Sequence, residues 1–282
     1  MTIMEWRLSD RVLTIGHRPL VMGIVNVTPD SFSDGGRYTS TEAAVAHGLE
    51  LAEQGADILD IGGESTRPGA SPVLLDEELR RVVPVVKGLA ASVSVPISVD
   101  TSKAEVARQS LAAGARIIND VTALTGDPEM AKVARTHRTG VVLMHMKGTP
   151  ATMQDDPRYD DVLADIVRFF EERLSYLTAQ GIEPERIALD PGIGFGKTRE
   201  HNLKILAHLA EFQRFGRPVC LGVSRKGFLG RLLDRPVHER LAASLAAVCF
   251  AVARNGVQVV RVHDVEETCD ALTVIAAIES SL

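Results

Sequence analysis

Polar side chains that could bind a ligand follow short apolar runs along the whole sequence. The most informative set contains two carboxylates, one amide and one ammonium group: Asp100, Asn119, Asp190 and Lys226. Carboxylates only accept hydrogen bonds, an ammonium group only donates them, and an amide does both. Because one carboxylate can accept from a ring N–H and a neighbouring amine together, the set suits a flat heterocycle with adjacent N–H and carbonyl groups.

A second set of side chains suits an anion. It consists of Asn26, Arg67, Arg261 and His263, and each follows an apolar run. Arginine presents a planar fork of N–H donors that matches phosphate oxygens, and a bound Mg²⁺ would add positive charge beside them. We therefore expect a local site for a diphosphate and Mg²⁺, which would offset the charge of a departing diphosphate.

The aspartates that follow apolar runs could instead have a structural role. An Asp at the end of a strand often caps the helix that comes next, so capping is a strong alternative for any one of them. In the segment Asp100-Thr101-Ser102, either Thr101 or Ser102 could cap the helix and leave the carboxylate of Asp100 for a ligand. Convergence of many polar strand ends on one rim favours a ligand site.

Three other patterns indicate different chemistry but are incomplete. Residues 192–198 resemble a phosphate-binding loop, but Pro191 stands where that pattern needs glycine. Residues 222–227 resemble a nucleophile elbow, but a lysine replaces its final glycine. His145 and His263 both follow apolar runs, yet the first run offers no histidine pair to join them, so a zinc site is not expected.

The apolar runs alternate with segments of helical composition. Eight runs suited to strands lie at residues 20–25, 57–61, 95–99, 116–118, 140–144, 186–189, 218–222 and 257–262. The expected helices are 40–55, 76–91, 103–113, 129–138, 158–180, 200–214, 237–254 and 265–281. Eight such units with polar strand ends favour a (βα)₈ TIM barrel over a doubly wound open sheet, since the strand ends of a barrel meet at one rim.

Composition limits the functions that the chain can have. The 282 residues include 31 basic and 37 acidic ones, for a net charge of −6, with no long run of either sign. This balance argues against general binding of nucleic acid or a membrane surface. Because no stretch resembles a linker, we expect a single α/β domain over residues 1–282, with residues 3–16 as a short cap before the first strand.

Targeting and redox signals point to the cytoplasm. The amino terminus lacks an apolar signal core, and the longest mostly apolar stretch, residues 241–253, predicts a buried helix rather than a membrane span. Cys220, Cys249 and Cys269 are odd in number and widely spaced. That pattern fits reduced thiols better than disulfides.

Several motifs resemble those of bacterial dihydropteroate synthase, and the resemblance extends from residue 21 to about 275. They are Asn-Val-Thr-Pro-Asp-Ser-Phe-Ser-Asp (26–34), Asp-Ile-Gly-Gly-Glu-Ser-Thr-Arg-Pro-Gly (60–69), Ser-Val-Asp-Thr (98–101), Ile-Asn-Asp-Val (118–121), Leu-Asp-Pro-Gly-Ile-Gly-Phe-Gly-Lys (189–197), Ser-Arg-Lys (224–226) and Arg-Val-His-Asp (261–264). The resemblance implies an enzyme that joins 6-hydroxymethyl-7,8-dihydropterin diphosphate to 4-aminobenzoate, giving dihydropteroate and diphosphate. A pterin is a flat heterocycle of the kind described above.

The resemblance also implies roles for individual residues. Asp100, Asn119, Asp190 and Lys226 would hold the pterin, Arg261 would stack on it and help to hold diphosphate, Thr66 and His263 would contact the diphosphate, and Asn26 would bind Mg²⁺. Phe32, Arg67, Pro68 and Phe195 would line the arylamine pocket, and Met144, at the end of the fifth strand, would contact substrate. Asp100, Lys226 and Arg261 are the catalytic candidates.

One position departs from the family pattern. Many relatives carry a serine that faces the arylamine directly after Ser-Arg-Lys, and Gly227 occupies that position here. We therefore expect one hydroxyl contact to the arylamine to be missing, whereas the pterin and diphosphate roles are unaffected.

The implied reaction needs stabilisation of charge more than a strong base. A methylene group on an electron-rich dihydropterin can lose diphosphate to give a delocalised cation, which the neutral amine captures. No general base is assigned, although Asp30, Asp34 and Asp100 are available. Loops 26–36 and 62–69 would act as lids that exclude water, and the family implies a homodimer.

Two other functions remain open. A pterin-dependent methyltransferase also uses a barrel with similar Asp and Asn residues, but it does not need the diphosphate loops that are present here. A non-catalytic pterin-binding paralogue should have lost Asn26, Arg67, Lys226 or Arg261, and this sequence keeps all four.

Overall fold

The centre of the molecule is a sheet of eight parallel strands. A computed structural model describes residues 3–28, 40–67 and 69–281. The strands of the sheet are β3 (Leu20–Asn26), β4 (Ile58–Gly62), β5 (Ile97–Asp100), β6 (Ile117–Asp120), β7 (Gly140–Met144), β8 (Ile187–Asp190), β9 (Cys220–Leu221) and β10 (Val259–Val262). Strands β3 to β8 are neighbours in chain order, and β10 lies between β3 and β9.

The two ends of the sheet meet. Leu189 of β8 forms an isolated parallel bridge with Val219, which directly precedes β9. The amide of Leu189 also donates a hydrogen bond of 2.8 Å to the carbonyl of Pro218. The sheet therefore closes into the predicted barrel, and the doubly wound alternative is excluded.

Helices follow the strands and surround the barrel. They are α1 (Ser40–Glu53), α2 (Leu75–Ala90), α3 (Ala104–Ala113), α4 (Met130–His137), α5 (Val162–Ala179), α6 (Arg199–Ala207), α7 (Gly227–Leu233), α8 (Leu241–Ala253) and α9 (Val265–Glu279). Each of the eight predicted helices overlaps an observed one. Helix α7 was not predicted, because a seven-residue segment that contains Gly227 and Gly230 has low helix propensity.

A two-stranded hairpin closes the amino end of the barrel. Strands β1 (Met4–Arg7) and β2 (Val12–Ile15) pair in antiparallel fashion, and the buried indole of Trp6 donates a hydrogen bond of 2.8 Å to the carbonyl of Arg186. Trp6 and Ile15 pack against the first inward residues of the barrel strands. The predicted cap over residues 3–16 is thus confirmed.

Alternation along the strands divides the barrel interior into two layers. The lower layer is apolar and includes Ile58, Ile117, Ala188 and Val259, which pack beneath the hairpin. Because side chains in a strand repeat every two residues, the next inward positions are those two residues further on. They are Asp60, Asn119, Asp190 and Arg261. The barrel therefore presents polar groups at its carboxyl end above an apolar floor.

Helix α8 is exposed on one side, whereas the sequence predicted a buried helix. Phe250 is 44% exposed, and Ala242 and Ala246 also face outward. Ser244 and Val248 form part of its inner face. The prediction was wrong because alanines make the outer face nearly as apolar as the inner one, so hydropathy does not distinguish them. Among the described residues, none of the helices combines the length and hydropathy needed to span a membrane.

Candidate active site

Arg261 occupies the middle of the barrel mouth between two carboxylates. Its Nε donates to Oδ2 of Asp60 at 2.6 Å, and its Nη2 donates to Oδ2 of Asp100 at 2.8 Å. The amide of Asn119 donates to the same oxygen of Asp60 at 3.1 Å. These hydrogen bonds connect side chains of β4, β5, β6 and β10 into one network.

One guanidinium group thus serves two carboxylates, and the second carboxylate affects the protonation of Asp100. Burial raises the pKa of Asp100 to about 7, Arg261 opposes the rise, and Asp60 adds to it. Burial opposes the charge of Arg261, but the two carboxylates outweigh burial and raise its pKa. Arg261 therefore stays protonated, whereas Asp100 can take up a proton near neutral pH.

Asp190 and Lys226 form the opposite side of the barrel mouth. Asp190 is buried and accepts a hydrogen bond of 2.7 Å from the amide of Gly192. Burial raises its pKa, against the effects of the Gly192 amide and of the charges on Lys226 and Arg261. Burial likewise lowers the pKa of Lys226 to about 8, and Asp190 opposes that change. Burial thus disfavours the charged form of both side chains.

An apolar wall lies beside Lys226. The ammonium group of Lys226 stands 4.1 Å from the centre of the Phe195 ring, a cation–π contact. Phe195 packs in a cluster with Val121, Met144 and Met153. The structure therefore places Phe195 and Met144, both predicted site residues, on one apolar surface.

In the glycine-rich loop after β8, the backbone passes very close to the backbone of His145. Gly192 has a φ of 68°, and a Cβ at this position would lie 1.9 Å from the carbonyl oxygen of His145. Glycine is required where a side chain would both strain the backbone and collide with it. The sequence of residues 192–198 thus fits tight packing of the loop rather than a phosphate-binding loop.

The loop after β4 is tied to the helices behind it. Lys103 forms ion pairs with Glu64 of this loop and with the fully buried Glu78 of α2. Glu78 also accepts a hydrogen bond of 2.6 Å from Thr101. A cavity of about 200 Å³, lined in part by Thr66, Asp100 and Pro150, lies between this loop and residues 149–151.

Four predicted site residues belong to the loops after the first two barrel strands, and the structure describes two of them. Thr66 lines the cavity, and Arg67 is exposed but close enough for its charge to add to the burial that lowers the pKa of Lys226. Phe32 and Pro68 lie outside the described residues, as does most of loop 26–36.

His263 is neutral in this environment. Its Nδ1 lies 3.0 Å from the hydroxyl of Ser224, and its amide donates to the same oxygen at 3.2 Å. Burial lowers the pKa of His263 to about 3, and the charges of Arg261 and Arg225 lower it further. Without a bound anion, His263 therefore carries no positive charge near neutral pH.

Asn26 ends strand β3 next to Gly62 of β4, at the rim of the barrel. No group of three or more His, Cys, Asp or Glu side chains within residues 3–28, 40–67 and 69–281 is arranged to hold a metal ion. A Mg²⁺ ion at Asn26 would therefore need most of its ligands from water and from a bound phosphate, as is common for this ion.

The capping alternative for Asp100 is excluded. Helix α3 begins at Ala104, whose amide donates a hydrogen bond of 2.9 Å to the carboxylate of Asp127. Asp127 lies in the loop between β6 and α4. Thr101 accepts from the amide of Lys103 at 3.2 Å, and the carboxylate of Asp100 is left to bind Arg261. Asp120 has the structural role instead, since it accepts from the amides of Thr122 and Leu124.

The chain matches a known family over most of its length. The profile of the family described as "Pterin binding enzyme" matches residues 22–263. Dihydropteroate synthase of Escherichia coli K12 is 50% identical over 265 residues, which are 94% of this chain and 93% of that protein. The chain belongs to the dihydropteroate synthase family.

Solved structures of this family share its architecture. The structure of Xanthomonas albilineans dihydropteroate synthase with 4-aminobenzoic acid has a TM-score of 0.93 and 51% identity, and the match covers 99% of each chain. The same enzyme in complex with 7,8-dihydropteroate gives a TM-score of 0.88 at 48% identity, covering 98% of this chain and 99% of that one. The (βα)₈ fold and the family predicted from sequence are both confirmed.

Sequence analysis did not identify Asp60 as a site residue. It is fully buried, it orients Arg261 and Asn119, and its Oδ1 has no hydrogen-bond partner among the described residues. The signal was present in the sequence, since a carboxylate at the inward position of the apolar strand Ile-Leu-Asp-Ile-Gly has few roles other than in a site.

Proposed function

We propose that the protein condenses 6-hydroxymethyl-7,8-dihydropterin diphosphate with 4-aminobenzoate to give 7,8-dihydropteroate and diphosphate. The observation that carries this proposal is the polar cluster at the carboxyl end of the barrel, composed of the buried Asp60, Asn119 and Asp190 and the half-buried Asp100, Lys226 and Arg261. Family membership and the named ligands of the related structures support the same substrates.

The pterin would lie against the inward carboxylates. Asp100 and Asp190 would accept hydrogen bonds from ring N–H and amine groups, while Asn119 and Lys226 would serve its remaining donors and acceptors. Arg261, held by Asp60 and Asp100, would stack on the ring and point its charge towards the diphosphate. Each charge-assisted hydrogen bond of this kind contributes about 1.5–3 kcal/mol when buried.

The diphosphate would lie at the rim above the pterin. Arg67, Thr66 and the neutral His263 would supply donors, and Asn26 would supply one oxygen ligand to Mg²⁺. An ion bound there would offset negative charge on the leaving group. The donor set fits an ion that arrives with the diphosphate, since Asn26 brings a single oxygen and Mg²⁺ usually retains several waters.

The arylamine would enter beside Phe195. We propose that Phe195 and Met144 form one wall of its pocket and that Arg67, Pro68 and Phe32 complete it. Gly227 begins helix α7 directly after Lys226, and a Cβ there would lie 3.4 Å from the guanidinium of Arg231. A small side chain is tolerated at this position, so the lost hydroxyl contact is a difference in binding and not in fold.

Departure of diphosphate would leave a delocalised pterin cation. The ionised carboxylates of Asp100 and Asp190 stabilise positive charge in the ring, and the low dielectric of the barrel mouth strengthens this effect. The arylamine attacks as a neutral nucleophile and loses its proton after the C–N bond forms. No side chain is therefore assigned as a strong base.

We further propose that the chain forms one domain and acts as a cytoplasmic homodimer. The outward faces of α8 and α9 carry Phe250, Val274 and Ile278, which are 44%, 59% and 60% exposed. Exposed apolar side chains on two helices that pack together suit contact with a second copy. Phe250→Glu should convert the dimer to monomers in sedimentation analysis, and unchanged sedimentation would place the interface elsewhere. The free thiols of Cys220, Cys249 and Cys269 support a reducing compartment.

Product formation tests the proposed function. The protein is incubated with both substrates and Mg²⁺, and dihydropteroate is detected by mass spectrometry. Lys226→Met should abolish most turnover, whereas Lys204→Met, which removes an exposed lysine on α6, serves as the matched control. Absence of dihydropteroate with the unaltered protein would reject the proposal.

A further inference from the structure

Lys197 is a fully buried lysine that is not among the proposed site residues. Its side chain has 0% exposure, and its ammonium group lies 3.0 Å from Nδ1 of His145, 3.1 Å from the carbonyl of His145 and 3.0 Å from the carbonyl of Phe195. It forms no ion pair within the described residues. Buried lysines without a carboxylate partner are rare, because desolvation of the charge is costly.

The contacts of Lys197 join two loops of the barrel mouth. His145 directly follows β7, and Phe195 lies in the loop after β8. This loop is pressed onto residues 145–147, since a Cβ at Gly196 would lie 2.2 Å from the carbonyl of Lys147. Lys197 therefore holds the loop after β8 against residues 145–147 through hydrogen bonds that are buried from solvent.

Other hydrogen bonds to the same loop are neutral and reach different residues. The hydroxyl of Tyr159 donates a hydrogen bond of 2.9 Å to the carbonyl of Gly196, and the side-chain amide of Gln154 donates one of 2.7 Å to the carbonyl of Gly194. Within the part of the chain that the structure describes, the side chain that donates to the carbonyl of Phe195 is Lys197. The ring of that same residue contacts the ammonium group of Lys226 at 4.1 Å.

Lys197 also affects the barrel mouth through its charge. Asp190 faces Lys226, Arg261 and Lys197, and all three cations oppose the rise in pKa that burial causes. Burial lowers the pKa of Lys197 itself to about 7, and Asp190 opposes that change. Each group therefore favours the charged form of the other across the loop.

We propose that Lys197 is a positioning residue for the condensation, which fixes Phe195 as a wall of the arylamine pocket. The proposal rests on the proposed function. It accounts for a buried lysine that holds the carbonyl of Phe195 while the ring of the same residue contacts Lys226 at 4.1 Å.

The test compares Lys197→Met with Tyr159→Phe. Methionine has a similar length but leaves the carbonyls of His145 and Phe195 without a donor, so KM for 4-aminobenzoate should rise about tenfold or more. The affinity for hydroxymethyl-dihydropterin, measured by calorimetry at pH 7.5, should change much less, because Lys197 hydrogen-bonds His145 and Phe195 and none of the side chains proposed to hold the pterin. Tyr159→Phe removes one bond from the same loop but leaves both values close to those of the unaltered protein.

Lys197→Gln keeps the test valid if the methionine variant does not fold. Glutamine retains N–H donors, so it should recover part of the arylamine KM that methionine loses. A wild-type KM for 4-aminobenzoate in either folded variant, or equal losses of arylamine and pterin affinity, would overturn the proposal. Failure of the unaltered protein to form dihydropteroate would instead reject the proposed function.

Discussion

The Nε atom of Arg261 lies 2.6 Å from Oδ2 of Asp60, although the two residues are 201 positions apart in the sequence. Asp100 binds the other end of the same guanidinium group at 2.8 Å. This arrangement fixes the plane of Arg261 across the barrel mouth before any substrate binds. It also leaves one negative charge in excess, which keeps one carboxylate ready to bind a cationic or N–H-rich ring.

Removal of Asp60 should disorder both of its partners. Asp60→Ala leaves the Nε of Arg261 and the amide of Asn119 without a buried acceptor, at about 1–3 kcal/mol for each unsatisfied group. We expect kcat/KM for the pterin substrate to fall about ten- to hundredfold in steady-state assays, a range that corresponds to a loss of about 1.4–2.8 kcal/mol.

Asp57→Ala is the matched control for this variant. Asp57 lies three positions earlier and binds Arg18 through two hydrogen bonds of 2.6 and 2.9 Å, but at the amino end of the barrel. Its loss should lower the melting temperature and leave kcat/KM nearly unchanged. A fall in kcat/KM of similar size in both variants would show that Asp60 acts through stability alone.

Binding of the pterin should depend on pH in a bell shape. The carboxylate of Asp100 is needed in its ionised form, and burial raises its pKa to about 7, so affinity should increase as pH rises through that value. Lys226 is needed in its protonated form, and burial lowers its pKa to about 8, so affinity should decrease above that value. Calorimetry with hydroxymethyl-dihydropterin, which carries no phosphate to titrate, measures both limbs.

Asp60→Asn offers a direct check on the acid limb. This variant keeps an oxygen acceptor for Arg261 but removes the charge that helps to raise the pKa of Asp100. The acid limb should therefore move to lower pH while the basic limb stays in place. An acid limb that stays put in Asp60→Asn would mean that a group other than Asp100 controls it.

Much of the fold could be predicted from the sequence because its signals are local. Short aliphatic strands and polar strand ends repeat eight times, and each strand requires only its own residues to be recognised. Polar residues such as Asn119 and Asp190 were found because they follow their strands directly. The β1–β2 hairpin was predicted only as an undefined cap, since its pairing depends on burial of Trp6 against distant strands.

The parts of the site that were missed depend on contacts between distant segments. The role of Asp60 requires Arg261 to lie opposite it, and the role of Lys197 requires the ring of His145 beside it. Neither partner is near in sequence, so residue type can mark a carboxylate inside an apolar strand, such as Asp60, but cannot name the group that it binds. The neutral state of His263 is likewise a consequence of burial, which a strand-end position does not reveal.

The ion pairs of Lys103 should control the arylamine pocket through the loop after β4. Lys103→Met releases Glu64 from its anchor and leaves the buried Glu78 without a cation. KM for 4-aminobenzoate should rise about three- to tenfold, because the loop must be ordered at binding, while pterin affinity changes little.

Lys132→Met is the matched control, since it removes an exposed lysine that pairs with Glu129 on α4. Its kinetic constants should equal those of the unaltered protein. If Lys103→Met weakens pterin and arylamine equally, the ion pairs support the barrel as a whole and not the loop in particular.

Binding of the arylamine should also require the first substrate. If Thr66, Arg67 and the residues of loop 26–36 meet around diphosphate and Mg²⁺, the arylamine pocket is complete only after those ligands bind. Titration of 4-aminobenzoate with pterin, diphosphate and Mg²⁺ present should therefore give tighter binding than titration without them. Equal affinity in the two titrations would indicate a preformed pocket.

The affinity of hydroxymethyl-dihydropterin for Asp100→Asn tests most directly whether the barrel mouth is the pterin site. Asparagine replaces an acceptor-only group by one whose amide can face ring N–H donors, so calorimetry at pH 7.5 should show a loss of about 1–3 kcal/mol relative to the unaltered protein. An unchanged dissociation constant would remove Asp100 from the site and contradict the account of a pterin bound among the buried carboxylates.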